Sequence, residues 1–180
     1  MKTISLKWVQ TSSNAIDSLM IYYTYINTRM GRILLTASND KLIGLHIEGQ
    51  KHFPIIKDYW QHNPHIAVFT NTKIQLNDYF RLKSSYFNID YRLNGTSFQK
   101  NIWQSLTRIP YGVVCTYKTF ASLTAYPHAI RAVASAIGKN PLSILLPCHR
   151  VIRSDGSLGG YAAGTAVKKQ LLTLEAQAIS

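Results

Sequence analysis

The chain is poor in cysteine and in acidic residues. Its 180 residues include two cysteines, and eight Asp and Glu stand against twenty Lys and Arg, which gives a formal net charge of +12. Two cysteines are too few for a disulfide framework, and six histidines without ligand-like spacing do not supply a metal site, so we expect no bound metal. The positive charge favours an anionic partner such as nucleic acid, although the charge alone is also compatible with a role in solubility.

Long hydrophobic runs are also absent. No stretch of the sequence has the length and apolar character of a membrane span, and residues 1–14 lack the apolar segment of a signal peptide. We therefore expect no membrane attachment and a reducing compartment, the bacterial cytoplasm or the nucleus of a eukaryote. Hydrophobic residues make up 46% of the chain, which is enough for one or two globular domains.

The N-terminal half has the pattern of a small α/β domain. Residues 1–19 are polar and weakly patterned, and we treat them as an extension. Hydrophobic alternation and turn residues predict strands over 32–36, 41–47 and 87–93, with a tight turn over 38–40 and a helix within 72–82. Asn94-Gly95 interrupts this pattern. The predicted division of the chain is therefore 1–19, 20–94 and 95–180.

The C-terminal half is predicted to be mostly helical. Thr96 and Ser97 can cap a first helix that carries Phe98, Ile102, Trp103 and Leu106 on one face. Further helices are predicted over 119–124, from Pro127 to about Lys139, and over 165–176. A short helix, a turn and a longer helix predict a helix-turn-helix. The fold class that follows is α+β with two domains, an N-terminal domain with a small antiparallel sheet and a helical C-terminal domain.

The second helix of this pair carries an unusual surface. Its core face is predicted to hold Ile130, Val133, Ala134 and Ile137, and the opposite face holds mostly small residues beside Arg131, namely His128, Ala132, Ser135, Ala136 and Lys139. Small residues let a helix backbone approach DNA closely, whereas reading base edges in the major groove usually needs long polar side chains. If the helix binds DNA, the pattern favours a reader of the minor groove or of DNA deformation over a reader of base sequence. Packing of the alanines on another domain is an equal alternative.

The segment 146–152, Leu-Pro-Cys-His-Arg-Val-Ile, places Cys148 beside His149. A thiol is a nucleophile only as the thiolate, and an imidazole with a carboxylate behind it is a common means of forming one. Adjacent residues of an extended segment point to opposite faces, so we predict an effect of His149 through water or through its field rather than a direct bond. An inert, buried cysteine is the alternative interpretation.

Two acidic residues in the C-terminal half are available to orient the imidazole. The residues from Thr96 onward include these two acidic residues, Asp155 and Glu175, and nine Lys and Arg. Asp155 lies in a Ser-Asp-Gly turn and is predicted to be solvated. Glu175 lies near the end of the last predicted helix, where the helix dipole disfavours negative charge, so we predict that it orients His149; a solvated surface glutamate is the alternative.

A glycine-rich segment, 156–164, follows the cysteine closely. Four glycines in nine residues allow the backbone to approach a ligand, and Tyr161 among them can cover a planar substrate. Taken alone this signal is weak, because flexible loops are common. Its position beside a candidate nucleophile makes it part of a predicted site.

In order and spacing these segments resemble the O6-alkylguanine-DNA alkyltransferases, the methylated-DNA–protein-cysteine methyltransferases. The matching residues are Phe98-Gln99, Trp103, Leu106, Ile109-Pro110-Tyr111-Gly112, Thr116-Tyr117, Arg131-Ala132-Val133, Asn140-Pro141, Pro147-Cys148-His149-Arg150-Val151-Ile152, the Gly-Gly-Tyr segment and Glu175. The resemblance is strong over about 96–176. It implies a ribonuclease H-like N-terminal domain, DNA repair by direct damage reversal, one turnover per molecule and no cofactor. The implied partner is double-stranded DNA containing O6-alkylguanine, bound through the minor groove by a monomer.

The resemblance also implies a role for each matching residue. Cys148 takes the alkyl group from guanine O6. His149, held by Glu175, helps to form the thiolate through water. Tyr117 donates a hydrogen bond toward guanine N3, and Asn140 braces the active-site turn. The substrate pocket and the DNA contacts are then assigned to Val151, Tyr161, Ala162 and Ser143, and to Arg131, Ala132, Ser135 and again Tyr117. Arg131 would fill the gap left by the extruded nucleotide, and activity on thymine O4 is left open.

The chain departs from the family pattern in two places. Its N-terminal half has no cysteine, so the zinc site of some members is absent, and Ser143 stands where some members have a proline against the alkyl group. We therefore predict weak inactivation by the bulky free base O6-benzylguanine. Three other functions compete with alkyl transfer: a non-catalytic sensor of alkylated bases, a Cys-His-Glu hydrolase and a sequence-specific helix-turn-helix regulator. The presence of Cys148 and its surroundings argue against each of them.

Overall fold

The computed structural model of the protein describes residues 20–178, so the predicted extension over 1–19 lies outside the described residues. The N-terminal domain contains a sheet with the strand order β3-β2-β1-β4 and one long helix. Its elements are β1 (Tyr22–Thr28), β2 (Gly31–Ser38), β3 (Lys41–Ile47), β4 (Gln61–His62) and α1 (Ala67–Phe80). The strands β1, β2 and β3 are antiparallel, while β4 adds a short parallel pair to β1, so the sheet is mixed at that edge.

The hairpin between β2 and β3 forms as the sequence predicts. Asn39 and Asp40 have φ of 51° and 55°, and asparagine and aspartate tolerate this left-handed conformation in two-residue turns. The central strand β2 is buried from Ile33 to its end. Ile33 pairs with Ile47 of β3, so the hairpin supplies the middle of the apolar core.

Besides the short parallel strand β4, which was not predicted, three N-terminal elements differ from the prediction. The helix begins at Ala67 rather than near residue 72, because its N-cap, Ile66, offers no side-chain hydrogen bond and leaves no capping signal in the sequence. The segment 87–93 is not a strand; it joins β3 only through the single bridge between Leu42 and Tyr91. The strand β1 was not predicted, since its polar and aromatic sequence lacks a clear apolar alternation.

The C-terminal domain is helical around a two-stranded parallel pair. Its elements are α2 (Ser97–Ser105), a 3-10 turn (Leu106–Arg108), β5 (Cys115–Thr116), α3 (Tyr117–Ser122), α4 (Ile130–Ile137), a second 3-10 turn (Cys148–Arg150), β6 (Val151–Ile152) and α5 (Thr165–Gln177). Thr96 caps α2 as predicted, in a capping box with Gln99.

The helix α4 starts later than predicted and packs differently. Pro127 precedes it by three residues instead of occupying its first turn. Val133 and Ile137 are buried as expected, but Ile130 is exposed and Ala136 is buried. The reason is tertiary: α4 packs on α2, where the indole of Trp103 donates to the carbonyl of Ala136 at 2.8 Å.

The two domains meet along the edge of β3. The Leu45 N–H donates to Pro141 O at 2.8 Å, and the Ser143 N–H donates to Leu45 O at 3.0 Å. One continuous apolar cluster includes residues of both domains. The sheet therefore fixes the segment that leads to Cys148. Within residues 20–178 no helix is long and apolar enough to cross a membrane.

Candidate active site

Cys148 and His149 lie in a 3-10 turn, not in the extended segment that the sequence predicted. The N–H of Cys148 donates to Leu146 O at 2.7 Å, and the N–H of Arg150 donates to Pro147 O at 3.0 Å, so the turn is fixed at both ends. The cysteine and the histidine still have separate hydrogen-bond partners. The sulfur of Cys148 is bonded by Asn140, and the imidazole of His149 is bonded by Glu175.

Asn140 fixes the segment that leads into the turn of the cysteine. Its Nδ2 donates to Leu146 O at 2.8 Å and to the sulfur of Cys148 at 3.1 Å, while its Oδ1 accepts the N–H of Leu142 at 3.0 Å. The side chain is buried. A donor aimed at sulfur stabilises the thiolate relative to the thiol.

Two opposing influences act on the pKa of Cys148. Burial raises the pKa of the thiol, and the hydrogen bond from Asn140 and the positive charge of Lys168 lower it. Burial also lowers the pKa of Lys168 to about 8, so this ammonium remains charged at pH 7. It is fully buried and donates to the carbonyl of Val151 at 2.5 Å and to that of Leu158. Lys168 thus places a fixed cation behind the cysteine.

Glu175 accepts hydrogen bonds from four residues although it is fully buried. Its Oε1 accepts from Tyr79 Oη at 2.7 Å, His149 Nε2 at 2.8 Å and Arg150 Nη2 at 2.9 Å, and its Oε2 accepts from Arg150 Nε at 2.9 Å and the Gly112 N–H at 3.2 Å. Burial by itself raises the pKa of this carboxyl, but the hydrogen bonds and charges of His149 and Arg150 outweigh it and lower the pKa to about 2. Glu175 is therefore a carboxylate at neutral pH.

The ionised carboxylate determines the tautomer of His149. A carboxylate only accepts hydrogen bonds, so the ring nitrogen beside it, Nε2, carries the hydrogen. Burial lowers the pKa of the imidazole, an effect that Glu175 opposes, so the ring is neutral at pH 7 and Nδ1 is a bare acceptor. Nδ1 is buried and has no hydrogen-bond partner among the described residues. It is available to receive a proton.

Cys148 opens on a pocket of about 400 Å³. The predicted site residues that line it are Tyr117, Ser135, Asn140, Ser143, Cys148, Tyr161 and Ala162. Val151, also a predicted site residue, does not line it: the residue is buried in β6 and its carbonyl accepts from Lys168. Arg131 and Ala132 lie on the exposed surface of α4, the helix that supplies Ser135 to the pocket. Asp155 lies in a solvated turn, as predicted, and accepts from Ser157.

One glycine of the segment 156–164 is required by its surroundings. Gly159 has φ of 67°, and a Cβ at this position would meet the Arg153 side chain at 3.3 Å and the ring of Tyr117 at 3.4 Å. A side chain here would be strained and would press on Tyr117. The glycine thus allows the segment to pass closely over the tyrosine at the pocket wall.

The N-terminal domain supplies part of the site that the sequence did not predict. Tyr79, at the end of α1, is separated by 96 residues from Glu175, to which it donates. Gln50 accepts from the N–H of Ile47 at 2.9 Å and from the hydroxyl of Ser143 at 3.3 Å. The segment after β3 also brings Lys51 to the pocket. No local pattern marks these residues, since their partners are remote in the chain.

Known proteins are similar to this chain in both sequence and architecture. Residues 21–93 match the family description "6-O-methylguanine DNA methyltransferase, ribonuclease-like domain", and residues 97–177 match "6-O-methylguanine DNA methyltransferase, DNA binding domain". Methylated-DNA–protein-cysteine methyltransferases from Methanosarcina barkeri and Haemophilus influenzae are 42% and 36% identical, over 86% of this chain and 97% and 86% of theirs. The crystal structure of Mycobacterium tuberculosis OGT in complex with DNA matches with a TM-score of 0.80 and 35% identity, covering 87% of this chain and 94% of that one.

Proposed function

This chain belongs to the 6-O-methylguanine DNA methyltransferase family, which repairs DNA by transferring an alkyl group to a cysteine of the protein, and we propose that Cys148 is that cysteine. The observation that carries the proposal is the sulfur of Cys148 at the pocket, with the Asn140 amide 3.1 Å away. The other cysteine, Cys115, is half-buried, does not line the pocket and has its pKa raised by burial. Among the described residues, no charge or hydrogen bond lowers its pKa in the way that Asn140 and Lys168 act on Cys148.

The thiol of Cys148 loses its proton to Nδ1 of His149, and one bridging water completes the path. The geometry supports this route because Nε2 is committed to Glu175, while Nδ1 is buried and has no hydrogen-bond partner within residues 20–178. The imidazolium that forms lies against a carboxylate, which stabilises its charge. Asn140 and the cation of Lys168 stabilise the thiolate in the meantime.

The thiolate then attacks the alkyl carbon attached to guanine O6. A carbon–sulfur bond forms, the carbon–oxygen bond breaks, and its electron pair passes into the guanine ring. Tyr117, at the pocket wall, is placed to donate a hydrogen bond to the departing base. The product is a thioether on Cys148. A thioether is stable to hydrolysis at neutral pH, so each molecule acts once.

The lesion reaches the pocket by extrusion from the duplex. An alkylated base within a stacked helix is out of reach of a buried sulfur, and a damaged base pair opens at lower cost. We assign DNA binding to the exposed face of α4, with Ala132 and Ser135 against the minor groove and Arg131 in the gap left by the nucleotide. Tyr161, Ala162 and Ser143 then surround the base and its alkyl group.

The two domains divide these tasks. We assign alkyl acceptance and DNA binding to residues 95–180, and to residues 20–94 the support of the active-site segment through β3, Gln50 and Tyr79. We further propose that the protein works as a monomer on double-stranded DNA, because the pocket and its activating groups are complete within one chain. The bacterial relatives support a cytoplasmic location, since bacterial DNA lies in the cytoplasm.

The decisive experiment is to incubate the purified protein with duplex DNA containing one O6-methylguanine and to weigh the intact protein. We expect a stoichiometric gain of one methylene in the wild type and in Cys115→Ala, and none in Cys148→Ala. Peptide mapping should place the group on Cys148. An unchanged mass with tight binding to the lesion would instead assign the protein to sensing, and continuous turnover would contradict the irreversible mechanism.

A further inference from the structure

Both domains contribute to the mouth of the pocket. Lys51 and His52 come from the segment after β3, and Ser135 and Lys139 come from α4 and the turn that follows it. All four residues are exposed. The lining of the pocket includes no aspartate or glutamate. Among residues 20–178, the exposed groups that line the mouth are therefore polar or cationic.

The backbone of Lys51 is held firmly at this position. Its N–H donates to the carbonyl of Ala162 at 2.8 Å, across the domain boundary. The preceding residue, Gln50, is buried and anchored by the Ile47 N–H, by Ser143 and by His46, whose Nδ1 lies 3.1 Å from Gln50 Nε2. Burial lowers the pKa of His46 to about 4, so its neutral ring can accept from the Gln50 amide at pH 7. Lys51 thus has a fixed location relative to the pocket.

The location of Lys51 matters because an extruded nucleotide stays attached to its flanking phosphates. When the base occupies the pocket, its sugar and the two flanking phosphates remain at the mouth, since the strand continues in both directions. Ser135 marks the side on which α4 approaches DNA, and Lys51 lies at the same opening. A lysine at this place meets phosphate rather than base, and an unpaired ammonium is a strong ligand for a phosphodiester.

We propose that Lys51, together with Lys139, binds the phosphates that flank the extruded nucleotide, so that the N-terminal domain takes part directly in DNA binding. The inference rests on the proposed function, because it requires the base to enter the pocket that contains Cys148. It assigns to the N-terminal domain a contact with the damaged strand in addition to its support of the active site.

The test is the salt dependence of binding, measured by fluorescence anisotropy in a Cys148→Ala background, where no transfer occurs during the titration. Lys51→Gln is compared with Lys73→Gln, an exposed lysine of α1 that does not line the pocket. One lost phosphate contact should reduce the slope of log K against log salt by about 0.9 and weaken binding roughly fivefold to tenfold at 0.1 M salt. Lys139→Gln should act similarly, and Lys73→Gln should change neither quantity.

Undamaged duplex of the same sequence separates this contact from general attraction. Because the proposed contact forms only with an extruded nucleotide, Lys51→Gln should affect undamaged DNA much less than DNA with O6-methylguanine. Equal slopes for Lys51→Gln and Lys73→Gln, or equal effects on both DNAs, would overturn the proposal. Methyl transfer by the otherwise unaltered protein is measured in parallel, so that failure of the alkyl-transfer function is recognised independently.

Discussion

Replacement of Glu175 by glutamine tests the buried network most directly. The carboxylate accepts from Tyr79, His149, Gly112 and twice from Arg150. An amide keeps one acceptor oxygen but turns an NH₂ group toward N–H donors and leaves the buried Arg150 guanidinium without an anion. Lowering the pKa of the carboxyl from 4.5 to about 2 corresponds to about 3 kcal/mol of stability at pH 7. Loss of one partner of a buried pair commonly costs a similar amount.

The pH dependence of this effect has a definite sign. Because folding lowers the pKa of Glu175, its stabilisation is complete above the unfolded value of 4.5 and is lost as pH falls toward about 2. The difference in free energy of unfolding between wild type and Glu175→Gln should therefore be about 3 kcal/mol at pH 7 and should shrink below pH 4.5. Urea unfolding, followed by the fluorescence of buried Trp103, measures this difference at pH 7 and below pH 4.5.

A matched control is available on the surface. Glu48 lies 3.5 Å from Arg32 and both side chains are about half exposed, so Glu48→Gln should cost less than about 1 kcal/mol at any pH. Glu175→Gln should also slow methyl transfer by at least about tenfold, because His149 loses the anion that stabilises its protonated form. A loss of stability no larger than that of Glu48→Gln, or a difference that does not change with pH, would refute the reasoning.

Three other predictions follow from the site, and one from the DNA-binding face. Because the thiolate–imidazolium pair contains as many protons as the neutral thiol and imidazole, the rate of methyl transfer in single-turnover kinetics should be nearly constant around neutral pH and should fall at acidic pH, where His149 is already protonated. A rate that rises steadily from neutral to alkaline pH would contradict proton transfer to His149. Asn140→Ala removes the donor at 3.1 Å from the sulfur and should slow transfer by about tenfold or more without shifting the product from Cys148. O6-benzylguanine should inactivate the protein weakly, because the polar side chain of Ser143, rather than a proline, lines the pocket. Rapid loss of activity would contradict this prediction. Arg131→Ala should slow repair of duplex DNA more than repair of single-stranded DNA, whereas the exposed Arg92→Ala should have no effect on either rate.

The fold prediction is accurate where an element is determined by residues that are neighbours in the chain. The hairpin at Asn39-Asp40 and the capping box of Thr96 are determined by residues that are neighbours in the chain, and both form as predicted. The segment 87–93 has the alternation of a strand but makes only one bridge, because strand formation also requires a partner along its whole length. The start of α1 at Ala67 was missed for the opposite reason, since packing rather than capping begins that helix.

The chemistry proposed for the site can be inferred from the order and spacing of residues in the chain. The neighbouring Cys148 and His149, the glycine-rich segment and Glu175 stand in an order and spacing that resemble one family, and the pairing of His149 with Glu175 is present at 2.8 Å. Such residues identify a reaction because a nucleophile, a base and an orienting acid are chemically specific types. They do not reveal what surrounds them.

The groups that support this chemistry come together only in the folded protein. The ionised state of Glu175 depends on His149 and Arg150, and the same carboxylate accepts from Tyr79 of the N-terminal domain. The hydroxyl of Ser143 is fixed by Gln50, and the opening of the pocket includes Lys51. Most of these contacts cross the domain boundary and join residues far apart in the chain. Charge state and orientation in a buried site depend on every group within a few ångströms, and folding alone brings such groups together.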